Sequence, residues 1–205
     1  MKKGFFSIVF FANMWQLLVS LLYINTNALL TCFCVESEWQ SFSRKPKSLR
    51  VTSPTGQQRS TYFLSLPWRY SLPLMGIFTT LHWTLSQAIF LTVVTTYKPE
   101  SYHHDMIFLG TSPRALILTV SIGLFIMLGF VAMCFRTSDG ILPRGGSCSA
   151  VISAACHRPS GDGDAAQKPV QWGEASVYGA ETRNVGHCCF TSYEVIPPRS
   201  NRKYR

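Results

Sequence analysis

The sequence predicts an all-α membrane protein with three transmembrane helices and a largely irregular C-terminal tail. Three stretches of this 205-residue chain carry no Asp, Glu, Lys or Arg, namely residues 4–35, 70–97 and 115–135. A helix crosses the roughly 30 Å hydrocarbon core of a bilayer with about 20 apolar residues, and each stretch is at least that long. We therefore expect lipid to be the main solvent in which the chain folds.

The three stretches divide the chain into six segments. Three are transmembrane: residues 1–35 with a first helix within 5–35, residues 70–97 with a second helix, and residues 115–135 with a third helix. The others are polar: a basic cytoplasmic loop over 36–69, a short extracytoplasmic loop over 98–114, and a Gly/Ser/Pro-rich cytoplasmic tail over 136–205.

The tail has few large apolar residues from which to build a core, so we expect it to be mostly irregular. Residues 147–157 could form a short helix, and residues 170–172 and 188–196 could form short strands.

The positions of the basic residues predict the orientation. The formal net charge is +9, with six Lys and Arg residues in 36–69 and nine in 136–205. Lys and Arg close to membrane spans stay on the cytoplasmic side. The remaining four basic residues fall on the other side: Lys2, Lys3, Lys98 and Arg114. The N-terminus is therefore expected outside and the C-terminus in the cytoplasm, in either the plasma membrane or an endomembrane. We also expect the basic loop to contact anionic lipid headgroups, and we expect no nucleic-acid partner.

The N-terminus also fits the opening of a signal peptide, because Lys2 and Lys3 precede an apolar run. The run is longer than the apolar region of a signal peptide, and Asn13 and Gln16 interrupt it. No clean cleavage site of small residues follows. These features favour an anchored helix.

Polar residues within the first apolar stretch share one helical face. Asn13, Gln16, Ser20, Tyr23 and Asn27 are spaced by three or four residues. Because lipid cannot satisfy amide side chains, this face should contact protein or water. Three interpretations stay open: packing between helices of this chain, one wall of a polar pathway, or contact with a helix of another chain.

The second predicted helix carries His82 and Ser86, four residues apart on one face. An intramembrane His is a candidate for proton relay. The simpler interpretation is a neutral imidazole that hydrogen-bonds across a helix interface. A relay normally needs acidic partners, and no Asp or Glu occurs in any of the three stretches.

Three of the seven cysteines fall at the predicted cytoplasmic ends of helices, namely Cys32, Cys34 and Cys134. Cysteines at such positions are candidates for S-palmitoylation. The alternative is that they are unmodified small apolar residues.

Cysteine and histidine residues of the tail form two clusters, and their members are weak candidates for metal ligands: Cys148, Cys156, His157, His187 and Cys188, next to Cys189. Structural zinc sites usually use close pairs of ligands with two to five residues between the pair members. Here Cys156 and His157 are immediate neighbours, and Cys148 is eight residues before Cys156. The spacing therefore argues against a metal site, and we expect no other cofactor.

Several strings occur in a characteristic order: RVTSP and GQQRSTY within residues 50–62, LPWRY at 66–70, HW at 82–83, SQ at 86–87, GSCSA at 146–150, AACH at 154–157, KPVQWG at 168–173, GHC at 186–188 and EV at 194–195. Together they resemble a segment of large multi-spanning membrane proteins of filamentous fungi, which carry an N-terminal domain of unknown function. The resemblance spans most of residues 10–198 and implies a class of protein but no activity. Longer members have further spans ahead of the segment that matches Asn13, so the resemblance implies a truncated form or an incomplete gene model.

No phosphate-binding Gly-rich loop, paired catalytic carboxylates or Ser-His-Asp pattern occurs in the sequence, and we identify no catalytic residue. The leading hypothesis is a non-enzymatic scaffold, adaptor or partner subunit that contacts other membrane helices. The alternative is part of a transporter or channel, based on the polar face at Asn13 and on His82.

Overall fold

The computed structural model describes residues 4–97, 103–136, 140–175 and 185–204. It contains four α-helices: α1 (Phe5–Ser41), α2 (Trp68–Ala88), α3 (Pro113–Cys134) and α4 (Ser149–Ala155). The described residues are 49% helical and 20% strand, with several small sheets. The prediction of an all-α fold is therefore wrong.

The chain splits into two compact units. The first, the helical unit, comprises residues 4–28, 67–97 and 103–136. The second, the mixed unit, comprises residues 29–66, 140–175 and 185–204. Helix α1 contributes its first part to the helical unit and its last turns to the mixed unit.

Among the residues that the structure describes, two helices rather than three are long and apolar enough to cross a membrane, namely α1 and α3. Their most apolar windows contain no buried residue, so both expose wide apolar surfaces. Helix α2 differs because Leu74, Phe78 and Leu81 are buried along one side. Polar residues such as Thr84 and Gln87 lower its hydropathy, which is the physical reason why the prediction of a third span fails.

The second predicted helix is also shorter than expected, because α2 ends at Ala88. Strand β3 (Ile89–Tyr97) follows and pairs with β4 (His103–Thr111) in an antiparallel hairpin, whose register runs from Ile89 opposite Thr111 to Tyr97 opposite His103. The five residues that follow Leu91 in this strand, positions 92–96, are all Val or Thr. Such β-branched side chains are stiff at χ1 and favour strands over helices.

The tail is not largely irregular. Strand β5 (Gln171–Ala175) lies between β7 (Cys188–Thr191) and β8 (Val195–Ile196) in a three-stranded antiparallel sheet. Two short parallel pairs accompany it: β1 (Arg50–Val51) with β2 (Arg59–Ser60), and β6 (Val185–Gly186) with β9 (Lys203–Tyr204). Helix α4 lies within the short helix expected at 147–157, and β5 overlaps the strand expected at 170–172. The single strand expected over 188–196 is instead two strands, β7 and β8.

The core of the mixed unit explains why the tail folds despite its composition. One cluster joins Phe42 with Ala165 and Val170, and a second joins Leu142, Ala155 and Trp172. Phe190 packs against both clusters. Phe42 comes from the chain just after α1, and Trp39 of α1 packs on the second cluster, so aromatic side chains from outside the tail supply the missing apolar volume.

A buried carboxylate ties the loop after α4 to the end of β7 in the mixed unit. Asp162 is 2% exposed and accepts hydrogen bonds from the Thr191 hydroxyl (2.6 Å), the Ser192 amide (2.8 Å) and the Ser192 hydroxyl (2.6 Å). Burial alone would raise the pKa of Asp162, but the hydrogen bonds from Ser192 and Thr191 outweigh it and hold the pKa below its usual value. The ionised form of Asp162 therefore stabilises the fold.

We expect Asp162→Ala to destabilise the mixed unit by about 3 kcal/mol, because the buried Thr191 hydroxyl loses its charged acceptor. Hydrogen exchange of the segment 188–192 during urea unfolding measures this change. The matched control is Asp164→Ala, since Asp164 is exposed and should cost less than about 0.5 kcal/mol. Equal effects of the two substitutions would contradict the role of Asp162.

The same carboxylate predicts a pH dependence. Because its folded pKa lies below the unfolded value of about 3.9, its contribution is complete above that value and is lost as the pH falls through the folded pKa. The protein with Asp162→Ala should lack this acid-dependent loss.

Candidate binding groove

The mixed unit contains an apolar groove with a volume of about 410 Å³, which lies within the range of about 300–1,000 Å³ typical of small-molecule sites. Helix α1 and the chain after it form one wall with Val35, Trp39, Phe42 and Leu49. Residues of the tail form the other: Ile152, Ala165, Ala166, Val170 and Phe190.

The first wall follows from helical periodicity. Val35 and Trp39 are four residues apart, and Phe42 follows after three more, so all three point to one side. Phe190 of β7 meets this side edge-on, with its ring centroid 5.2 Å from that of Trp39 and 5.5 Å from that of Phe42. Such edge-to-face pairs add to the energy of area burial.

Backbone groups of the tail hold the end of α1 in place. Trp39 donates from Nε1 to the carbonyl of Pro143 (3.1 Å), and Gln40 donates from Nε2 to the carbonyl of Leu142 (2.9 Å). The amide of Trp172 donates to the carbonyl of Phe42 (3.0 Å). The first wall of the groove is therefore fixed by the same segment that supplies the second.

Charged groups line one part of the groove. The Glu38 carboxylate accepts hydrogen bonds from Arg50 Nε (2.9 Å) and Arg59 Nη2 (3.1 Å). The Arg50 guanidinium also lies 4.1 Å from the centroid of the Tyr62 ring. Arg158 lines the groove as well, is exposed, and has no side-chain hydrogen bond or ion pair within the described part of the chain. The groove thus combines apolar walls with a paired acid and one available cation.

Part of the basic loop is built into the fold. Lys47 Nζ donates to Ser41 Oγ (2.7 Å), and its backbone pairs with Val170. Burial and the charge of Lys45 lower the pKa of Lys47, whereas Glu38 acts in the opposite direction. Arg44 and Lys45 remain exposed, so these two residues are the available cations of the segment predicted to contact headgroups.

The tail cysteines and histidines lie apart from the groove walls, except that Cys156 lines the groove. His187 Nε2 is 2.9 Å from the carbonyl oxygen of His157, while Cys148 and Cys156 are exposed at the two ends of α4. Within the described residues no three His, Cys, Asp or Glu side chains are placed to hold a metal ion.

Two cysteines of β7 are held as thiols. Burial and the nearby Glu174 carboxylate raise the pKa of Cys188 to about 11. Burial and Asp162 raise the pKa of Cys189 to about 11. Because the thiolate is the nucleophile and the metal ligand, these side chains suit packing better than either role.

The predicted polar face of α1 meets α2 over part of its length. Ser20 Oγ lies 3.4 Å from His82 Nε2 and also donates to the carbonyl of Gln16 (3.1 Å). One turn further, the Tyr23 ring lies 5.4 Å from the Phe78 ring centroid. This arrangement brings together two of the predicted intramembrane residues, Ser20 and His82.

Two other predicted intramembrane residues, Asn13 and Ser86, hydrogen-bond to carbonyl groups of their own helices. Asn13 is exposed and donates to the carbonyl of Val9 (2.8 Å) in its own helix. Ser86 donates to the carbonyl of Trp83 (2.7 Å), and Gln16 and Asn27 are half-buried. Asn13 therefore does not join Ser20 and His82 at the α1–α2 contact.

The three cysteines predicted as acylation sites differ in the exposure of their side chains. Cys32 and Cys134 are exposed, and Cys34 is half-buried. Their acylation stays a prediction.

Sequence reasoning missed the groove and the Asp162 network. One signal pointed to the first wall. The spacing of Val35, Trp39 and Phe42 continues the helical period past Glu36, where the charge-free stretch 4–35 has ended. No local pattern links these positions to Phe190, because the contact joins segments about 150 residues apart.

The profile of one protein family, described as Domain of unknown function (DUF8419), matches residues 1–204. No curated protein and no solved structure matches the chain at a significant level. The family match thus extends over the α1 segment, the hairpin and the groove-bearing tail alike.

Iodoacetamide at pH 7.5 should modify Cys188 far more slowly in the folded protein than in urea. A pKa of about 11 instead of 9.0 leaves about 100-fold less thiolate, and burial slows the reaction further. Peptide mass spectrometry of timed samples gives the two rates. Exposed Cys148 serves as the control, with similar rates in both states. Equal folded and unfolded rates at Cys188 would show that the thiol is not held in this way.

Proposed function

Since the chain belongs to the DUF8419 family, whose function is unknown, we propose that it is a non-enzymatic membrane component that acts as a scaffold, adaptor or partner subunit. The resemblance to multi-spanning membrane proteins of filamentous fungi supports this proposal. So do the two helices, α1 and α3, that are long and apolar enough to cross a membrane.

The observation that carries the proposal is the double role of helix α1. At about 1.5 Å per residue its 37 residues extend about 55 Å, well beyond the roughly 30 Å of a hydrocarbon core. Its first part exposes large apolar side chains such as Phe10 and Leu17, whereas the tail folds around its last turns. A module that folds on the last turns of a membrane helix stays attached to the bilayer through that helix, which suits a protein that presents a binding surface.

The sidedness of this proposal follows from the composition of the mixed unit. The described residues of 29–66 and 137–205 form one compact unit, so they share one side of the membrane and the segment between them makes no net crossing. Helix α1 alone then sets the sidedness of residues 29–66 and 137–205. They contain five and eight Lys and Arg residues, respectively, which favours the cytoplasmic side. The N-terminus of α1 then lies outside. The exposed side chains of Arg44 and Lys45 are placed to meet anionic headgroups, and other membrane helices are the expected protein partners.

We expect the protein to stay in the membrane pellet after alkaline carbonate extraction, because the exposed apolar surfaces of α1 and α3 suit lipid. In intact cells a membrane-impermeant maleimide should not modify Cys148, and after permeabilisation it should. An epitope placed before Met1 should show the opposite accessibility. Release by carbonate would contradict membrane integration, and labelling of Cys148 in intact cells would contradict the orientation.

One observation favours a second candidate function, part of a transporter or channel. The Ser20–His82 contact places a hydroxyl and an imidazole together beside half-buried Gln16. If water reached this face, these groups could line a polar pathway. The scaffold proposal instead treats the contact as helix packing.

Cysteine accessibility separates the two candidates. If the scaffold proposal holds, a membrane-impermeant thiol reagent should not modify Gln16→Cys or His82→Cys. It should not modify the control Leu17→Cys either, which lies on the exposed apolar side of α1. Peptide mass spectrometry distinguishes these sites from the native cysteines. Selective labelling of Gln16→Cys and His82→Cys, with Leu17→Cys unmodified, would replace the scaffold proposal by the transport candidate.

A further inference from the structure

We propose that the groove of the mixed unit binds a single-chain anionic amphiphile, with its acyl chain between the apolar walls and its headgroup at Arg158. A long-chain fatty acid carboxylate is the source to which we commit. The inference rests on the proposed function in one respect: a membrane placement of α1 would bring lipid close to the groove.

The walls suit an acyl chain rather than a polar ligand. Trp39, Phe42 and Phe190 offer aromatic surface, while Ile152 and Val170 offer aliphatic surface. A hydrocarbon chain gains about 0.8 kcal/mol for each methylene group that it buries. The walls hold few hydrogen-bonding groups that would stay unsatisfied beside such a chain, because Glu38 is already paired with two arginines.

The volume of the groove suits one acyl chain. A water molecule occupies about 30 Å³ of the liquid, and a methylene group is of similar size. The 410 Å³ groove therefore holds on the order of a dozen such groups. One long acyl chain is enough to occupy a groove of this size.

The charge distribution selects an anionic headgroup. Arg50 is committed to Glu38 and to the Tyr62 ring. Arg158 is exposed and has no side-chain partner among the residues that the structure describes. A carboxylate at this position could accept charge-assisted hydrogen bonds from the guanidinium. A neutral headgroup would lack that interaction.

The position of the groove suits entry from a membrane surface. Val35, at one end of the first wall, is the last residue of the charge-free stretch 4–35, directly before Glu36. An apolar stretch that ends at this point places the start of the groove near headgroup depth. An amphiphile could then pass its chain from lipid into the groove without exposing it fully to water.

The test uses the full chain in vesicles of phosphatidylcholine and a photoactivatable palmitic acid whose diazirine is in the acyl chain. We expect crosslinks in peptides that carry the groove walls, around residues 35–49, 150–158 and 190. Substituting Ala166→Trp should reduce this labelling by at least about fivefold, because an exposed alanine at the groove is replaced by a ring that occupies the chain position. The matched control is Ala154→Trp, an exposed alanine that does not line the groove.

The headgroup is tested by a second pair of variants. Arg158→Gln should weaken competition by unlabelled palmitate about fivefold, as expected for a partly exposed ion pair, and Arg144→Gln should leave it unchanged. Arg144 is exposed but does not line the groove. Stronger competition by lysophosphatidic acid than by palmitate would show that the groove binds a single-chain anionic amphiphile but that this ligand is a lysophospholipid and not a fatty acid. Equal competition by hexadecanol would overturn the assignment of Arg158.

Folding is monitored in every variant by the slow modification of Cys188, and the milder Ala166→Leu provides a second groove-filling variant. Crosslinks confined to the apolar stretches of α1 and α3, with none in the groove walls, would overturn the proposal. The proposed function is tested separately, by carbonate extraction without the lipid probe. A protein that stays in the membrane pellet but shows no crosslinks in the groove walls would contradict only the lipid-binding proposal.

Discussion

The end of helix α1 is the constraint on which the mixed unit depends. Trp39, Gln40 and the carbonyl of Phe42 form three separate hydrogen bonds to the tail, at Pro143, Leu142 and Trp172. Helix termini leave carbonyl groups without intrahelical partners, and an apolar helix that runs beyond its lipid-suited length must find cover for its side chains. The tail supplies both the polar partners and the apolar cover.

This dependence is mutual. The tail alone has too few large apolar residues for a stable core, and fully burying one such side chain contributes about 1.5–3 kcal/mol. Phe42 is buried against Ala165 and Val170, and Trp39 packs beside Trp172 and Leu142. The aromatic side chains supplied by and just after α1 therefore complete a core that the tail begins. The hydrogen bonds of Asp162 with Thr191 and Ser192 add a polar tie on the other side of the sheet.

Charge is distributed in the mixed unit so that most buried groups are paired. Glu38 is shared by Arg50 and Arg59, and Glu174 is bonded by Arg202 and by the Tyr204 hydroxyl. Pairing of this kind is needed because an unpaired charge within a protein costs several kcal/mol. It leaves exposed cations such as Arg158 available for interactions outside the fold. The basic residues of the mixed unit thus fall into two groups. Some form ion pairs within the fold, and others are exposed and can bind partners.

Local chemistry made part of this protein predictable. The hydropathy of α1 and α3 is a property of consecutive residues, so their capacity to cross a membrane follows from the sequence alone. The spacing of Ser20 and Tyr23 placed them on one face, and that face meets His82 and Phe78 of α2. The short helix and strands of the tail were likewise visible in their composition and periodicity.

Other features depended on contacts between distant residues. Thr92, Val93 and Val94 carry no charge and so extend the charge-free run of α2, whereas their β-branched side chains and their pairing with β4 favour the strand. The charge-free run 70–97 concealed this change because charge and hydropathy do not distinguish a buried helix from a strand.

By itself, the sequence determined which segments suit lipid and which carry charge, because those properties belong to each residue. Only the tertiary structure decided that the tail folds around α1, that Glu38 is neutralised by Arg50 and Arg59, and that a groove opens between Phe42 and Phe190. The physical reason is that each of these features requires side chains from remote segments to share one volume, and no local pattern specifies which remote segment fills it.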